Sequence, residues 1–229
     1  MAREMAHVVM AAEGICVEYR ALDRIVPAVE DVAVTIVAGS LTVIAGPSGS
    51  GKSSLLRVLG LLDRPTRGVL KVEGVDALAM SDRERRRLRR GRLAYVHQRP
   101  VSNLVDDLTA VDQVAFAVSC RGSALVDAHS VLDAFGLGQR TESRPADLSG
   151  GEQQRLAIAM AAACDPAVMF ADEPTSALDR HHADEVIEAL VEAASGGRAV
   201  VVASHDPGLI AAATHLLRLR DGRVEVTDA

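Results

Sequence analysis

The sequence predicts an α/β fold in which a mostly parallel sheet carries helices and an antiparallel β part lies near the N-terminus. The first observation is a set of short apolar runs. Leu41–Ala45, Ala167–Ala171 and Ala199–Ala203 are rich in β-branched or small apolar residues, which is typical of buried strands. Helical stretches follow the first two of these runs.

The second observation is a helical insertion. Between Thr109 and Phe135 the pattern favours two helices joined by a loop near Arg121-Gly122, and strand-rich sequence lies on both sides. We therefore expect a single domain over 1–229. Its core is predicted to be formed by 1–98 and 165–229, and its helical lobe by 99–164.

Further strands are predicted towards both ends of the chain. Gly14–Tyr19 is expected to be an edge strand, Val29–Ile36 alternates as a strand with one solvated face, and Val69–Gly74 is another short strand. Leu216–Leu219 and Val224–Val226 flank Asp221-Gly222, a residue pair typical of a hairpin turn.

The composition argues against several classes of protein. A net charge of −6 and a pI of about 5.6 do not suggest a nucleic-acid-binding face, and 2% aromatic residues provide no base-stacking platform. The chain has three cysteines, at Cys16, Cys120 and Cys164, and they form no C-x-x-C motif. This spacing favours isolated reduced thiols. The best apolar run, Leu156–Ala171, is interrupted by Asp165-Pro166, so no membrane span is expected.

The stretch Gly46–Ser53 matches the pattern G-x-x-x-x-G-K-[ST] and lies between a predicted strand and a predicted helix. This order directs backbone N–H groups and the positive end of a helix dipole at one place, where a phosphate fits. Lys52 can reach the β- and γ-phosphates, and the Ser53 hydroxyl can hold Mg²⁺. The pattern predicts a nucleotide-phosphate site.

A second glycine-containing helix start is predicted at Leu148–Arg155. Ser149 is a natural N-cap, and Glu152 three residues later completes a capping-box pattern. Gly150 and Gly151 then lie at the positive end of the helix dipole, which makes this a second potential phosphate site. The alternative interpretation is a well-capped helix without a ligand.

Polar residues follow two of the predicted buried strands. Asp172 and Glu173 come directly after one strand, and His205 follows another. The carboxyl ends of parallel strands are where α/β proteins bind ligands. Asp172 can hold Mg²⁺ through water, Glu173 can polarise an attacking water, and His205 can contact a γ-phosphate.

A strongly basic helix is predicted to begin at Ser81 and to continue through Arg92. One interpretation is contact with phosphate or anionic lipid. The other is a solvated helix end whose cations lie near the negative end of the helix dipole. The negative net charge favours the second interpretation.

These motifs resemble the nucleotide-binding domain of an ATP-binding cassette (ABC) protein, over roughly Ile15 to Val226. The resemblance depends on LSGGEQQR and ADEPTSALD, which follow the phosphate loop in this order. It implies that Tyr19 stacks on adenine, that Gln98 is a lid glutamine, and that Ser176–Asp179 crosses to a second copy. The implied nucleotide-binding residues are Tyr19, Gly46, Ser48, Gly49, Ser50, Gly51, Lys52, Ser53, Ser54, Gln98, Ser149, Gly150, Gly151 and Asp179. The implied Mg²⁺ ligands are Ser53, Gln98 and Asp172, and the implied catalytic residues are Glu173, His205 and Lys52.

The resemblance implies an ATPase subunit that uses ATP and Mg²⁺ to drive a separate transmembrane permease at the cytoplasmic face of the cell membrane. Two copies would enclose two ATP molecules, and Ser149, Gly150 and Gly151 of one copy would complete the site of the other. The stretch GPSGSGKSSLLRVLGLLDRPTRG looks most like the lipoprotein-releasing, macrolide-export and cell-division group. The alternatives are an importer-type ATPase, a soluble ABC ATPase of iron–sulfur assembly type, and a nucleotide-gated scaffold without hydrolysis.

Two residues depart from the pattern of the family. His97 stands where many relatives carry Phe, and Met160 with its alanine neighbours replaces a more usual Arg-containing run. Neither is expected to contact phosphate. Both are expected to affect packing at the helical lobe, where the membrane partner would dock.

Overall fold

The computed structural model describes residues 7–21, 24–121 and 126–225 and has the predicted α/β architecture. The strands are β1 (Val8–Ala21), β2 (Arg24–Val37), β3 (Leu41–Ala45), β4 (Arg67–Val72), β5 (Val75–Asp76), β6 (Leu93–Val96), β7 (Val168–Asp172), β8 (Ala199–Ala203), β9 (His215–Arg220) and β10 (Arg223–Val224). The helices are α1 (Lys52–Leu59), α2 (Asp82–Arg92), α3 (Ala110–Arg121), α4 (Ala128–Ala134), α5 (Gly150–Ala163), α6 (Arg180–Ser195) and α7 (Pro207–Ala212). The predicted loop at Gly122 and the hairpin end at Val226 lie outside the described residues.

Six strands form the main sheet in the order β10-β9-β3-β8-β7-β6, with parallel pairing from β9 to β6. The pairs Ile44–Ala203 and Asp172–Ala203 place the carboxyl ends of β3, β8 and β7 at one edge of the sheet. The residues that follow these three strands are therefore neighbours in space. The antiparallel pair β9–β10 is the predicted hairpin.

The second sheet is antiparallel and has the order β2-β1-β4-β5. The prediction that Gly14–Tyr19 is an edge strand was wrong as far as Cys16, where β1 pairs with β2 on one side and β4 on the other, whereas residues 17–19 pair with β2 alone. The alternation of apolar and polar residues reports which face of a strand is buried. It carries no information on whether both hydrogen-bonding edges are paired.

Three apolar clusters hold the fold together. The first lies around α1, between the two sheets, and contains Leu55, Leu59 and Phe170. The second covers the other face of the main sheet with α5, α6 and α7, and the third packs α3 and α4 against α5. Since α5 contributes to both of the last two clusters, it joins the helical lobe to the core. The lobe boundary at residue 164 stays a prediction.

The basic helix α2 begins at the predicted N-cap, where Ser81 and Glu84 form a capping box. Its arginines are divided between two roles. Arg85 and Arg89 donate to the Leu61 carbonyl oxygen and so attach the helix to the core, whereas Arg86 is exposed. The interpretation of a solvated helix end was therefore incomplete, because Arg85 and Arg89 bond to the core. Within the described ranges, no helix has the length and apolar character needed to cross a bilayer.

Candidate active site

The phosphate loop connects β3 to α1 and is shaped by glycine. Gly51 has φ 99° at the N-cap of α1, and a Cβ at this position would overlap the Ala28 carbonyl oxygen. Only glycine combines the left-handed conformation with so close an approach of two backbone segments. The first residue of α1 is Lys52, so the free N–H groups of the helix start open onto the loop.

The Lys52 side chain lies over this loop and is only 6% exposed. Its Nζ donates to the carbonyl oxygens of Gly46 at 2.9 Å and Pro47 at 3.1 Å. The same Nζ lies 3.3 Å from Glu173 Oε1. One buried ammonium group therefore joins the phosphate loop to the end of β7.

Asp172 is the last residue of β7 and faces the start of α1. Ser53 Oγ donates to Asp172 Oδ1 at 2.8 Å, and the Tyr95 hydroxyl donates to Oδ2 at 3.5 Å. Burial, together with the nearby charge of Glu173, raises the pKa of Asp172 despite the Ser53 hydrogen bond. Burial also raises the pKa of Tyr95, so its hydroxyl stays neutral.

Glu173 has a backbone conformation that the sequence did not reveal. Its φ is 44°, in the left-handed region, and its N–H donates to the Ala203 carbonyl oxygen at 2.8 Å. Such a conformation is uncommon and costly for a residue with a side chain, and it concentrates at functional sites. β7 ends at Asp172, so Glu173 lies beyond the strand and does not follow its alternation of side-chain directions. After this left-handed turn the Glu173 carboxylate faces Lys52 and His205, whereas the Asp172 carboxylate faces Ser53.

The Glu173 carboxylate is held from a second side by the segment after β8. His205 Nδ1 lies 3.0 Å from Glu173 Oε2, and Ser204 Oγ donates to the same oxygen at 3.5 Å. The side chain of Glu173 is 13% exposed, whereas that of His205 is 67% exposed. Glu173 is therefore a shielded carboxylate between a lysine and a histidine that reaches the solvent.

A cavity of ≈ 520 Å³ opens at this edge of the sheet. It brings together most of the predicted phosphate-site and catalytic residues. Its lining residues are Ala28, Pro47, Ser48, Gly49, Gly51, Lys52, Ser53, Ser54, Gln98, Glu173, Ser176 and His205. The predictions of a phosphate site and of catalytic side chains thus meet in one place.

Two predicted nucleotide residues lie at the margins of the cavity. The Tyr19 hydroxyl donates to Ser54 Oγ at 3.1 Å, and the Tyr19 side chain is half-exposed, which leaves its ring open to a ligand. Gln98 lines the cavity and its Nε2 donates to Ser176 Oγ at 3.1 Å. The predicted contact of Gln98 with Mg²⁺ stays a prediction.

Tyr19, Gly46 and Ser50 do not line this cavity, and four further predicted nucleotide residues lie away from it at the starts of α5 and α6. Ser149, Gly150 and Gly151 form the start of α5, where the Ser149 hydroxyl and the Glu152 carboxylate make the predicted capping box. Asp179 is the N-cap of α6. Their predicted role lies in the site of a second copy, and it stays a prediction.

The sequence reasoning missed three residues that contact the predicted site residues: Tyr95, Ser204 and Ser176 as the partner of Gln98. Tyr95 lies on β6 in register with Phe170, two residues before Asp172. Ser204 comes directly before His205 at the end of β8. Ser204 could have been found from the sequence, because it directly precedes a predicted site residue, whereas Tyr95 required the pairing of β6 with β7.

The fold and the site together define a nucleotide-binding protein with a phosphate loop. A family model described as "ABC transporter" matches residues 29–176 of the chain. The chain belongs to the ABC transporter family, and it is the ATP-binding and ATP-hydrolysing type of subunit in that family.

Curated relatives resemble most of the chain. The lipoprotein-releasing system ATP-binding protein LolD of Bordetella pertussis is 40% identical over 200 residues, which is 85% of this chain and 86% of that protein. The macrolide export ATP-binding/permease protein MacB of Bradyrhizobium diazoefficiens is 38% identical over 224 residues, which is 96% of this chain and 34% of MacB. These names confirm the predicted similarity to the lipoprotein-releasing and macrolide-export group.

A solved structure has the same fold over nearly the whole chain. It is the ATP-binding cassette MJ0796, in a dimeric post-hydrolysis state bound to ADP and Pi. The TM-score is 0.82 at 31% identity, and the match covers 94% of this chain and 96% of that one. The predicted fold class and ATPase activity are confirmed by these relationships.

Proposed function

We propose that this ATPase hydrolyses ATP in the cavity at the edge of the main sheet and uses the reaction to drive a separate transmembrane permease. The observation that carries this proposal is the convergence of Lys52, Asp172, Glu173 and His205 around one phosphate loop. These residues come from the ends of two strands, β7 and β8, and from the start of α1. Phosphoryl transfer needs such a combination of positioned donors and a polarising carboxylate.

The roles follow from the contacts. The free N–H groups at the start of α1 and the Lys52 ammonium bind the phosphate oxygens and offset their charge. Glu173 then orients and polarises the attacking water, since its carboxylate is still held in the cavity by His205 after Lys52 has turned to the phosphate. The exposed edge of His205 can donate to the γ-phosphate. Tyr19 provides a ring for the adenine.

A magnesium ion fits the residues at Asp172. Oxygen donors are the ligands that Mg²⁺ prefers, and it commonly takes only one or two from the protein when it binds with a nucleotide. The Ser53 hydroxyl and the Asp172 carboxylate, with a 2.8 Å contact between them, supply two such donors. Bound there, the ion would offset negative charge on the β- and γ-phosphates.

We infer that two copies act together. The glycine-containing start of α5 has the features of a phosphate-binding helix end, yet it lies outside the cavity of its own chain. A head-to-tail pair would bring Ser149, Gly150 and Gly151 to the nucleotide of the other copy. The dimeric state of MJ0796 supports this arrangement.

The permease is proposed to dock in a groove between α2 and the helical lobe, at the cytoplasmic face of the membrane. The groove has a volume of ≈ 1060 Å³, and no carboxylate is found among the described residues that line it. Arg83, Arg86, Arg87 and Arg90 form one wall, and Ala157 and Met160 belong to the other. MacB, whose name includes a permease, supports the pairing with a transmembrane partner.

Two measurements test the function. Purified protein should release phosphate from ATP in the presence of Mg²⁺, and the Glu173→Gln variant should bind ATP but release almost none.

A tagged Glu173→Gln protein should then retain a polytopic membrane protein in detergent when ATP is present. The same capture with Arg86→Glu and Arg87→Glu added should fail. Capture of soluble partners alone would favour the iron–sulfur assembly alternative.

A further inference from the structure

The loop before α6 and the start of α5 meet at one histidine. Asp179 is the N-cap of α6, and its Oδ1 accepts from the His182 N–H at 3.1 Å. The other oxygen, Oδ2, lies 2.8 Å from His182 Nδ1. Both carboxylate oxygens are therefore engaged by one residue, which fixes the orientation of Asp179 although this side chain is 67% exposed.

The opposite edge of the same imidazole packs against α5. A Cβ built on Gly151 would come within 2.8 Å of His182 Cδ2 and 2.9 Å of its Cβ. At the adjacent Gly150, a Cβ would lie 3.6 Å from Leu178 Cδ2. The two glycines are thus covered by two residues of the segment that contains Asp179, and only a residue without a side chain leaves room for His182.

The polar and apolar edges of His182 serve different contacts. Nδ1 faces the Asp179 carboxylate, and the carbon edge faces the backbone of Gly151. A further ion pair, Arg155 to Glu185, joins α5 and α6 one helical turn along. The two helix starts are therefore connected at their tips by His182 and further along by this ion pair.

We propose that His182 is a positioning residue that holds the Asp179 loop and the Gly150-Gly151 pair as one rigid unit. The inference rests on the proposed function, in which both segments reach the nucleotide of a second copy. Asp179 and Gly151, the two residues that His182 contacts, do not line the cavity of their own chain, so His182 acts through the assembled pair. Misplacement of a positioning group can lower turnover strongly without loss of substrate binding.

Three substitutions separate the two contacts of His182. Asparagine places its amide nitrogen where Nδ1 lies, and so retains the bond to Asp179. Leucine fills the space against Gly151 but has no donor. Alanine removes the imidazole, and with it the Nδ1 contact and the ring contact with Gly151, but keeps the backbone N–H bond to Asp179 and the Cβ. We expect His182→Ala and His182→Leu to lower kcat by about tenfold, and His182→Asn to stay within about threefold of the wild type.

The assay measures phosphate release against ATP concentration, together with ATP binding to the isolated monomer. The monomer should bind ATP equally in all variants, because His182 does not line the cavity. In the Glu173→Gln background, the ATP-dependent dimer on size exclusion should decrease for the alanine and leucine variants and persist for the asparagine variant. If His182 had a purely structural role, the variants would instead have lower unfolding temperatures, and the asparagine and leucine variants would not differ in turnover or dimer fraction.

Two outcomes would overturn the inference while the proposed function stands. Equal kcat and equal dimer fractions for wild type and His182→Ala would show that His182 positions nothing. Recovery by leucine as complete as by asparagine would show that the Asp179 bond is not used. If the wild type neither hydrolysed ATP nor dimerised with ATP, the proposed function would be wrong and this inference with it.

Discussion

Replacing Glu173 with glutamine removes one negative charge from the cavity while the size of the side chain is nearly unchanged. The substitution acts on two contacts at once: the ion pair with Lys52 and the contact with His205. We expect ATP to bind more tightly and turnover to fall. Both effects follow from the position of Glu173 between the phosphate loop and the end of β8.

The gain in affinity can be worked from the ion pair. At 3.3 Å between Lys52 Nζ and Glu173 Oε1, Coulomb's law gives about 5 kcal/mol with an effective dielectric constant of about 20. Most of this is offset by the hydration that both ions lose on burial. The net stabilisation from a hydrogen bond between charged groups is about 1.5 kcal/mol. In the wild type, Lys52 gives up its contact with Glu173 when it binds phosphate. Glu173→Gln removes this cost, so ATP affinity should rise about tenfold.

The loss of turnover has a separate origin. A positioned carboxylate that polarises the attacking water contributes about 10²- to 10⁴-fold to the rate, and an amide cannot accept the proton. The assay is phosphate release at saturating ATP, with binding of a fluorescent ATP analogue measured in parallel. Glu192→Gln is the matched control, since Glu192 is an exposed carboxylate near the end of α6 and should leave both values unchanged.

The two readouts refute different parts of the reasoning. Hydrolysis by Glu173→Gln within about threefold of the wild type would mean that this carboxylate does not activate water. Unchanged ATP affinity would mean that the Lys52–Glu173 pair does not compete with phosphate. If Glu192→Gln reproduced either effect, loss of any negative charge would be the cause.

Three further predictions concern the same site. Lys52→Ala should weaken ATP binding in a fluorescent-nucleotide titration at least tenfold, because it removes the buried ammonium from the loop. Asp172→Asn should raise the unfolding temperature at pH 7.5 without Mg²⁺. Because the pKa of Asp172 is raised in the folded protein, its ionised carboxylate lowers the stability of the fold as pH rises through that pKa. The gain from asparagine should therefore vanish at lower pH, where Asp172 is protonated. Gly51→Ala, with φ 99° and a blocked Cβ position, should lower the unfolding temperature by roughly 2 to 8 °C, and more than Gly49→Ala, whose Cβ meets nothing within 4 Å.

The parts of the fold that local pattern governs were predicted well. The runs at β3, β7 and β8, the helix start at Ser81, the capping box at Ser149, and the order strand–glycine turn–helix at the phosphate loop were all found as expected. Each depends on residues a few positions apart along the chain. Hydrophobic period, cap chemistry and glycine spacing carry that information directly.

The pairing of strands was harder to predict from the sequence. Gly14–Tyr19 was expected at the edge of a sheet, yet β1 proved to be paired on both sides as far as Cys16, with β4 lying about fifty residues later in the chain. Likewise, the contact of Tyr95 with Asp172 requires β6 to lie beside β7, which are separated by the whole helical lobe. Such pairings depend on which strand edges are still free after the other elements have packed. The local pattern of residues along the chain does not carry this information.

The sequence by itself determined the chemistry of this protein: a phosphate loop, an ABC signature, and the polar residues that follow buried strands. Only the tertiary structure decided the geometry. It bent Glu173 into a left-handed turn, set its carboxylate between Lys52 and His205, and brought His182 between Asp179 and Gly151. The physical reason is that residue type is a local property, whereas a distance of 3 Å between side chains far apart in the chain depends on how the sheet and helices pack.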